Sequence, residues 1–228
     1  MRKKITALLL TLILLFSFSG CDILFPGFVE YDVSGYIQAL LDSSYRENHN
    51  EYILRTQSTS EMADENNRTT IENMAVNFCN MYNILPTEEQ MGKIQEIMRL
   101  AYKKSKYTVK DEEKVSGGYK VDVEVSPLLN LSECVKNLPM LRDGIENGTY
   151  TIRAGNGDAV FNGSTDTTDL YVEEVIFLCN EALQGVDRYG SPVTITMNIK
   201  ANDKGELFLD TMQLEKIDQT IVPLVSIE

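Results

Sequence analysis

Hydrophobic residues change their spacing along this chain. An almost unbroken apolar run occupies residues 5–16. From residue 32 to about residue 102, apolar residues recur every three or four positions, which is typical of amphipathic helices. Between residues 106 and 127 they alternate with polar residues, which is the pattern of strands with one buried face. The sequence therefore predicts an apolar leader and, after it, a domain that mixes helices with strands.

The helical spacing predicts four helices ahead of the first strand. Asp32 is a good N-cap for the first of them. Residues 48–56 form a short helix or turn, and Ser58 and Thr87 each open a capping box for a longer helix, with Glu or Gln three residues later. Each of the longer helices carries its apolar residues on one face, which predicts a helical layer with a buried side.

The alternating residues predict a β-hairpin. Residues 106–115 and 119–127 are its two strands, and Ser116, Gly117 and Gly118 lie between them. The glycine pair supplies the positive φ that a tight turn requires. Valines of the second strand alternate with Lys, Asp and Glu, so we expect one face of the hairpin to be buried and the other to be in water.

Helices and then strands follow again towards the C-terminus. Residues 130–147 predict a helix that Pro139 kinks or splits, and residues 148–168, rich in Gly, Asn, Thr and Asp, predict a loop. A helix over residues 169–184 ends at Gly185. The remaining predicted elements are a second pair of strands and a final short helix, at residues 193–200, 206–211 and 213–220.

Two sequential hairpins beside amphipathic helices imply an α+β fold. We expect an antiparallel four-stranded sheet with helices packed on one of its faces. The outward face of this sheet carries Lys, Thr, Asp and Glu side chains. Such a face is an ordinary solvated surface more often than a binding groove.

The leader has the three parts of a secretory signal. Residues 2–4 form a basic start, residues 5–16 form an apolar core, and residues 17–20 are mostly small and lead into Cys21. The apolar core is too short for a membrane-spanning helix, which needs about 20 apolar residues. No later apolar run is long enough either, so we expect the rest of the chain to lie outside the cell.

With Cys21 directly after Ser19 and Gly20, the leader resembles the signal of a bacterial lipoprotein. The resemblance implies cleavage before Cys21 and a diacylglyceryl group on its sulfur, with acyl chains such as palmitate. It places the protein at the outer face of the plasma membrane. Phe18 departs from the family pattern, which has Leu there, so an ordinary cleaved signal and a non-functional anchor stay open as alternatives.

The leader implies three segments. Residues 1–20 are the lipoprotein signal peptide, residues 21–29 a lipidated tether, and residues 30–228 a single extracytoplasmic α+β domain. Removal of the signal takes away three of the 21 basic residues and none of the 34 acidic ones, which leaves a net charge near −16. Nucleic acid is therefore an unfavourable partner, and attachment to an anionic membrane has to come from the lipid on Cys21.

Three cysteines follow Cys21. An odd number outside the cytoplasm allows at most one disulfide among Cys79, Cys134 and Cys179. Each lies in a helical pattern beside core residues, so burial as a small apolar side chain is the preferred interpretation and a bridge is the alternative. The chain has no Cys-x-x-Cys motif and one histidine, which gives no support for a metal site.

Two further stretches, residues 32–42 and the hairpin at residues 106–127, resemble small lipoproteins of Gram-positive anaerobes. The domain of those proteins is catalogued only as being of unknown function. The resemblance covers most of the chain after the leader, and it implies a cystatin-like packing of helices on a curved antiparallel sheet. It brings no catalytic residues to carry over.

The sequence contains no recognisable catalytic set. His49 is the sole histidine and lies in a polar run, which predicts a surface residue rather than a general base. Nucleophile motifs and a phosphate-binding glycine loop are absent from the sequence. Carboxylates are plentiful but no pair has a distinguishing context, so a paired-carboxylate hydrolase stays as an alternative.

The predicted loop contains a partial calcium pattern. Its residues match positions 1, 3, 5, 7 and 12 of a calcium loop, and they are Asn162, Ser164, Asp166, Thr168 and Glu173. Thr167 occupies position 6, where the loop needs glycine, and an N-cap for the next helix explains the same residues more simply. We therefore predict neither a metal nor a cofactor.

These observations predict a lipid-anchored, non-enzymatic module. It would bind an envelope protein or a small ligand, with the membrane reached through Cys21. The alternative is a hydrolase of the cell envelope that works through carboxylates. A hydrolase requires a cleft with convergent carboxylates of shifted pKa, whereas a binding module requires an apolar pocket or an exposed apolar patch.

Overall fold

The computed structural model describes residues 32–153, 167–201 and 207–224. The signal peptide, Cys21 and the tether lie outside the described residues, as do positions 154–166 of the predicted loop and 202–206 between the last two strands. The described parts contain eight helices and five strands. Helices and strands are mixed along the chain, as the changes of period predicted.

The first four helices lie where the helical spacing placed them. They are α1 (Val33–Arg46), α2 (Asn50–Thr56), α3 (Ser60–Met81) and α4 (Glu88–Lys103). Asp32 caps α1 by accepting from the backbone N–H of Gly35, at 2.8 Å from that nitrogen to Oδ1. Thr87 and Gln90 form both hydrogen bonds of a capping box at α4. Both predicted caps are confirmed.

One predicted cap is wrong by one residue. The N-cap of α3 is Thr59 rather than Ser58, and the Thr59 hydroxyl accepts from the backbone N–H of Met62. Ser58 instead lies beside the Thr56 hydroxyl, which donates to its oxygen. Two adjacent hydroxyl residues can both cap a helix, so sequence alone does not separate them.

The sheet is antiparallel, and its strands follow the order β1–β3–β4–β5, with β2 also paired to β3. The strands are β1 (Lys106–Val109), β2 (Glu113–Val115), β3 (Gly118–Ser126), β4 (Val193–Ala201) and β5 (Leu207–Phe208). β1 and β2 lie one after the other on the same edge of β3. The sheet is therefore four strands wide, with one edge strand interrupted at residues 110–112.

The turn between β2 and β3 requires its glycines. Gly117 has a φ of +80°, which L-residues with side chains rarely adopt. A Cβ atom on Gly118 would lie 1.9 Å from the carbonyl oxygen of Ile199 on β4. The glycine pair thus serves both the turn and the close approach of β4.

The sheet is buried on one face, as its alternation predicted. On β3 and β4 the inward residues are buried and their neighbours are mostly exposed; the inward residues include Val121, Val123, Val125, Ile195, Met197 and Ile199. α1 packs on β1 and β3, and α8 (Thr211–Ile221) packs on β3 and β4. The helices therefore cover the buried face, and the outward face carries the polar side chains.

The end of the chain differs from the prediction. β5 contains two residues, where the sequence predicted a strand over residues 206–211, and α8 begins two residues earlier than expected. Asp210 explains both differences, because its carboxylate accepts from the backbone N–H of Met212 and starts the helix. Gln213 of α8 then accepts the β4 backbone N–H of Asn198, at 2.8 Å from that nitrogen to Oε1.

The helix that Pro139 was expected to break is split in two. α5 (Asn130–Val135) and α6 (Leu138–Glu146) are separate, and Pro139 lies in the first turn of α6, where it is tolerated. α7 (Thr167–Gln184) packs against α4, α5 and α6. The arrangement of α5 and α6 beside α7 creates the cavity described next.

Candidate functional site

A cavity of about 380 Å³ opens between α5, α6, α7 and the segment at residues 150–153. Most of its lining side chains are apolar, and the lining residues are Cys134, Asn137, Leu138, Met140, Leu141, Tyr150, Arg153 and Leu178. Met140 is 69% exposed. The cavity thus offers an apolar wall with three polar groups: an amide, a phenol and a guanidinium.

Glu174 of α7 holds one wall of this cavity in place. Its side chain is fully buried. Its carboxylate accepts from the Tyr150 hydroxyl and from the backbone N–H of Arg153, each at 2.8 Å. The Arg153 Nε lies 3.5 Å from the same carboxylate. A buried acid that fastens a segment in this way fixes the two polar side chains of that segment, Tyr150 and Arg153, at the cavity.

Arg153 is the cationic group of the cavity. Its side chain is about half exposed, and its Nη1 lies 3.4 Å from Glu181 of α7. Its guanidinium also lies over the ring of Phe177, 5.6 Å from the centroid. Both contacts are long, so the guanidinium keeps donors that an acidic or carbonyl group in the cavity could use.

Two cysteines lie close together beside the cavity. The Cys134 and Cys179 sulfurs lie 4.0 Å apart, and Cys79 lies elsewhere, buried in α3. The thiol of Cys179, as a hydrogen-bond donor, and the charge of Arg153 lower the pKa of Cys134 against the opposing effect of burial. Cys79 and Cys179 are buried, as expected for small apolar side chains, whereas Cys134 is only partly buried.

A second cavity, of about 410 Å³, lies among charged residues of the helical layer. Its lining residues are Glu47, His49, Asp64, Asn67, Arg68 and Arg99. Their charges are paired with one another or with neighbours; Glu47 lies 2.8 Å from the Lys103 ammonium and 3.4 Å from Arg99. Because its cations and anions already pair within the protein, this cavity has weaker grounds for a ligand than the apolar one.

His49 is less exposed than its polar surroundings predicted. The Ser43 oxygen lies 2.8 Å from Nδ1 of His49, and Nε2 lies 3.1 Å from the Asp64 carboxylate. A serine, histidine and acid in a row resemble a nucleophile–base set in composition. However, Ser43 is 2% exposed, so its hydroxyl does not face solvent where a substrate could reach it. The chain of contacts instead ties α1 to α3 through His49.

A tyrosine cluster surrounds Asp218 of α8. The Tyr45 hydroxyl donates to Asp218 Oδ1 at 2.5 Å, and the Tyr102 hydroxyl donates to the Asp218 carbonyl oxygen at 3.1 Å. Desolvation raises the pKa of Asp218 to about 7, against the opposing effect of the Tyr45 hydrogen bond. Tyr36, Tyr45 and Tyr52 belong to the core, and Tyr31 lies outside the described residues.

The calcium pattern is only partly within the described residues. Asn162, Ser164 and Asp166 lie outside them. Glu173, the acid at position 12, accepts from the Gln90 amide at 3.0 Å and lies 3.3 Å from the Lys93 ammonium. In the parts of the chain that the structure describes, no group of three or more His, Cys, Asp or Glu residues is placed to hold a metal ion.

The helical pattern of residues 130–147 and the break at Pro139 predicted the helices beside the cavity but not the cavity itself. The cavity depends on how α6 and residues 150–153 lie against α7, which no local pattern encodes. The signals available in the sequence were Cys134 in a helical stretch and Met140 directly after Pro139.

The likeness to known proteins concerns the fold alone. No protein-family model matches the chain, and no curated protein matches it. A crystal structure of a predicted lipoprotein from Bacillus subtilis matches with a TM-score of 0.56 and 12% sequence identity, over 84% of this chain. The chain spans 56% of the length of that protein. The likeness supports the α+β fold, and the cystatin-like assignment stays a prediction.

Among the described residues, no helix combines the length and the apolar composition that crossing a bilayer requires.

Proposed function

We propose that this protein is a lipoprotein, anchored through Cys21 at the outer face of the plasma membrane, whose domain binds a small and largely apolar molecule. The basic start, the apolar run and Cys21 after Ser19–Gly20 support the anchor. The matched Bacillus subtilis protein is itself described as a predicted lipoprotein. The anchor would carry two acyl chains, which suffice for stable attachment where one is marginal.

The apolar cavity between α5, α6 and α7 is the observation that carries the binding function. Its volume of about 380 Å³ falls within the usual range of small-molecule pockets, roughly 300–1,000 Å³. Of the eight lining residues that the structure describes, five are Cys, Leu or Met. Arg153, Tyr150 and Asn137 provide the few polar groups that orient a ligand. The guanidinium favours a ligand with a carboxylate or another acceptor at one end.

A carboxylate-dependent hydrolase has less support than binding. Among the described residues, those that line the apolar cavity include no Asp or Glu, whereas glycoside hydrolysis needs two carboxyl groups on either side of the scissile bond. Asp218, whose pKa is raised, lies in the tyrosine cluster rather than at this cavity. We therefore propose a non-enzymatic role.

Binding is tested with a fluorescent apolar anion, 8-anilinonaphthalene-1-sulfonate. The wild-type protein should bind it at a saturable site with increased fluorescence, and decanoate should compete. Met140→Glu places a negative charge at an exposed lining residue and should weaken binding of the dye by about tenfold. Met212→Glu is the matched control, since Met212 is 75% exposed on α8 and does not line the cavity.

Two results would contradict the binding proposal. One is fluorescence that rises without saturation, which indicates non-specific adsorption to apolar surface. The other is equal loss of binding in Met140→Glu and Met212→Glu, which would place the dye elsewhere. Far-ultraviolet circular dichroism of both variants separates loss of binding from loss of folding.

The anchor has an independent test. Cys21→Ser should remove incorporation of labelled palmitate and either release the protein from membranes or leave its leader uncleaved. Cys79→Ser, which changes a cysteine of the folded domain, should retain both label and attachment. Unchanged labelling and retention in Cys21→Ser would reject the lipoprotein proposal and leave the cavity proposal standing.

A further inference from the structure

Two of the three described cysteines face each other across the cavity wall. Cys134 lies in α5 and Cys179 in α7, and their sulfurs are 4.0 Å apart. A disulfide has a sulfur–sulfur distance of about 2.05 Å, so bond formation requires about 2 Å of closer approach. α5 and α7 are in direct contact, which keeps the two sulfurs near each other without any rearrangement of the fold.

The two thiols differ in access. Cys134 is partly buried and lines the apolar cavity, whereas Cys179 is fully buried and is absent from the cavity lining. A small reagent that enters the cavity therefore meets the Cys134 sulfur first. Cys179 has no exposed surface, so a reagent in the cavity does not meet it directly.

The surroundings also favour Cys134 as the attacking sulfur. The thiolate is the reactive form of cysteine, and nearby donors and cations stabilise it. The Cys179 thiol and Arg153 lower the pKa of Cys134, while Glu181 and burial oppose them. Cys179 differs, because its contact with Cys134 and its burial raise its pKa well above the ordinary value. Cys134 is thus suited to attack a disulfide first, and Cys179 to attack the resulting mixed disulfide.

We infer that Cys134 and Cys179 form a redox-active dithiol that a small disulfide compound, entering through the apolar cavity, converts into a cystine. In the first step the Cys134 thiolate attacks one sulfur of the compound, a mixed disulfide forms, and one thiolate leaves. In the second step Cys179 loses its proton and attacks the Cys134 sulfur, which expels the second thiolate. Two protein thiols are oxidised, and the compound is reduced to two thiols.

Cys79 provides a control within the same chain. It is buried in α3, and desolvation raises its pKa to about 11. It has no place in the cavity lining. The inference therefore requires that Cys79 stay reduced under conditions that oxidise the other two. This requirement, like the inference itself, does not depend on the identity of the bound ligand in the proposed function.

Oxidation would change the cavity as well as the cysteines. The new bond would join α5 to α7 across 45 residues of chain, and it would remove an ionisable thiol from the cavity wall. A cross-link of this span usually stabilises a fold by restricting the unfolded chain. The melting temperature should therefore rise by about 5 to 10 °C on oxidation.

The test uses the purified, reduced full chain in mild detergent with 2-hydroxyethyl disulfide as the oxidant. After an acid quench and alkylation, peptide mass spectrometry identifies the state of each cysteine. Wild type and Cys79→Ser should form the Cys134–Cys179 cystine. Cys179→Ser should stop at a mixed disulfide on Cys134, and Cys134→Ser should leave Cys179 unmodified because the reagent cannot reach it.

Three results would overturn the inference. The first is a wild-type protein that stays reduced while the same chain in urea forms cystines. The second is equal modification of Cys79 and Cys134 in the native protein. The third is a Cys179→Ser variant that folds, by circular dichroism, and acquires no adduct at Cys134. If a serine variant does not fold, the wild-type peptide map and its melting temperature still decide between the outcomes.

Discussion

α7 and α8 each carry a carboxyl group in a desolvated setting, and the two groups are held differently. Glu174 of α7 accepts hydrogen bonds from the Tyr150 hydroxyl and the backbone N–H of Arg153, and the Arg153 Nε lies 3.5 Å away. Asp218 of α8 accepts a hydrogen bond from the Tyr45 hydroxyl, and the charged group that affects its pKa is another acid, Glu215. Desolvation raises the pKa of Asp218 to about 7. The two buried acids therefore differ in the donors and charges around them rather than in their burial.

The largest expected effect concerns Asp218 and pH. Its folded pKa of about 7 lies above the unfolded value of 3.8, so its contribution to stability is fully present below about pH 3.8 and is lost as pH rises through 7. Asp218→Asn removes this dependence. Relative to the variant, the wild type should lose roughly 4 kcal/mol of unfolding free energy between pH 4 and pH 8. Urea denaturation across this range measures the difference.

The control for this prediction is Asp143→Asn, which changes an exposed acid on α6. Its pH profile should follow that of the wild type. Parallel profiles for wild type and Asp218→Asn would mean that the Asp218 carboxyl group is solvated in the folded protein. The contrast between Asp218 and Glu174 would then disappear.

The next effect concerns Glu174. Glu174→Ala leaves the Tyr150 hydroxyl and the backbone N–H of Arg153 without their acceptor and opens a cavity in α7. We expect a loss of about 3 kcal/mol in the free energy of unfolding. Glu174→Gln keeps the volume and one acceptor, so it should lose about half as much. If both substitutions left stability unchanged, the carboxylate would not be fastening residues 150–153.

The smallest effect comes from the two tyrosine donors. Tyr45→Phe and Tyr150→Phe each remove one hydroxyl that donates to a carboxyl oxygen, at 2.5 Å and 2.8 Å. Each should cost about 1 kcal/mol. The Tyr45→Phe cost should grow with pH, because the lost hydrogen bond favours the ionised form of Asp218. Equal pH dependence for the two variants would argue against this assignment.

The parts of the fold that were predictable depend on neighbouring residues in the sequence. The break at Pro139, the Gly117–Gly118 turn and the cap at Asp32 follow from backbone chemistry within a few positions. The α+β class followed from the change in hydrophobic period. The errors at Ser58 and at β5 are also local, since each stretch held a second residue, Thr59 or Asp210, that could cap a helix equally well.

The candidate site was not predictable because its contacts join distant residues. Cys134 and Cys179 are 45 positions apart, and Tyr150 and Glu174 are 24 positions apart. Cys134 and Cys179 both lie in stretches that the helical pattern had correctly placed inside helices. A one-dimensional pattern shows which face of a helix is buried, but it does not show which residue of another helix meets that face.

Gln213 affects whether copies of this protein can pair through the edge of β4. Its side chain accepts a hydrogen bond from the β4 backbone N–H of Asn198, just beyond the two-residue strand β5. An unoccupied strand edge is a template on which another chain can add its own strand. On the proposed membrane anchor, neighbouring copies would diffuse in a plane with their domains at similar height, where edge-to-edge encounters are frequent. The Gln213 side chain would withhold one backbone donor of β4 from such a strand addition.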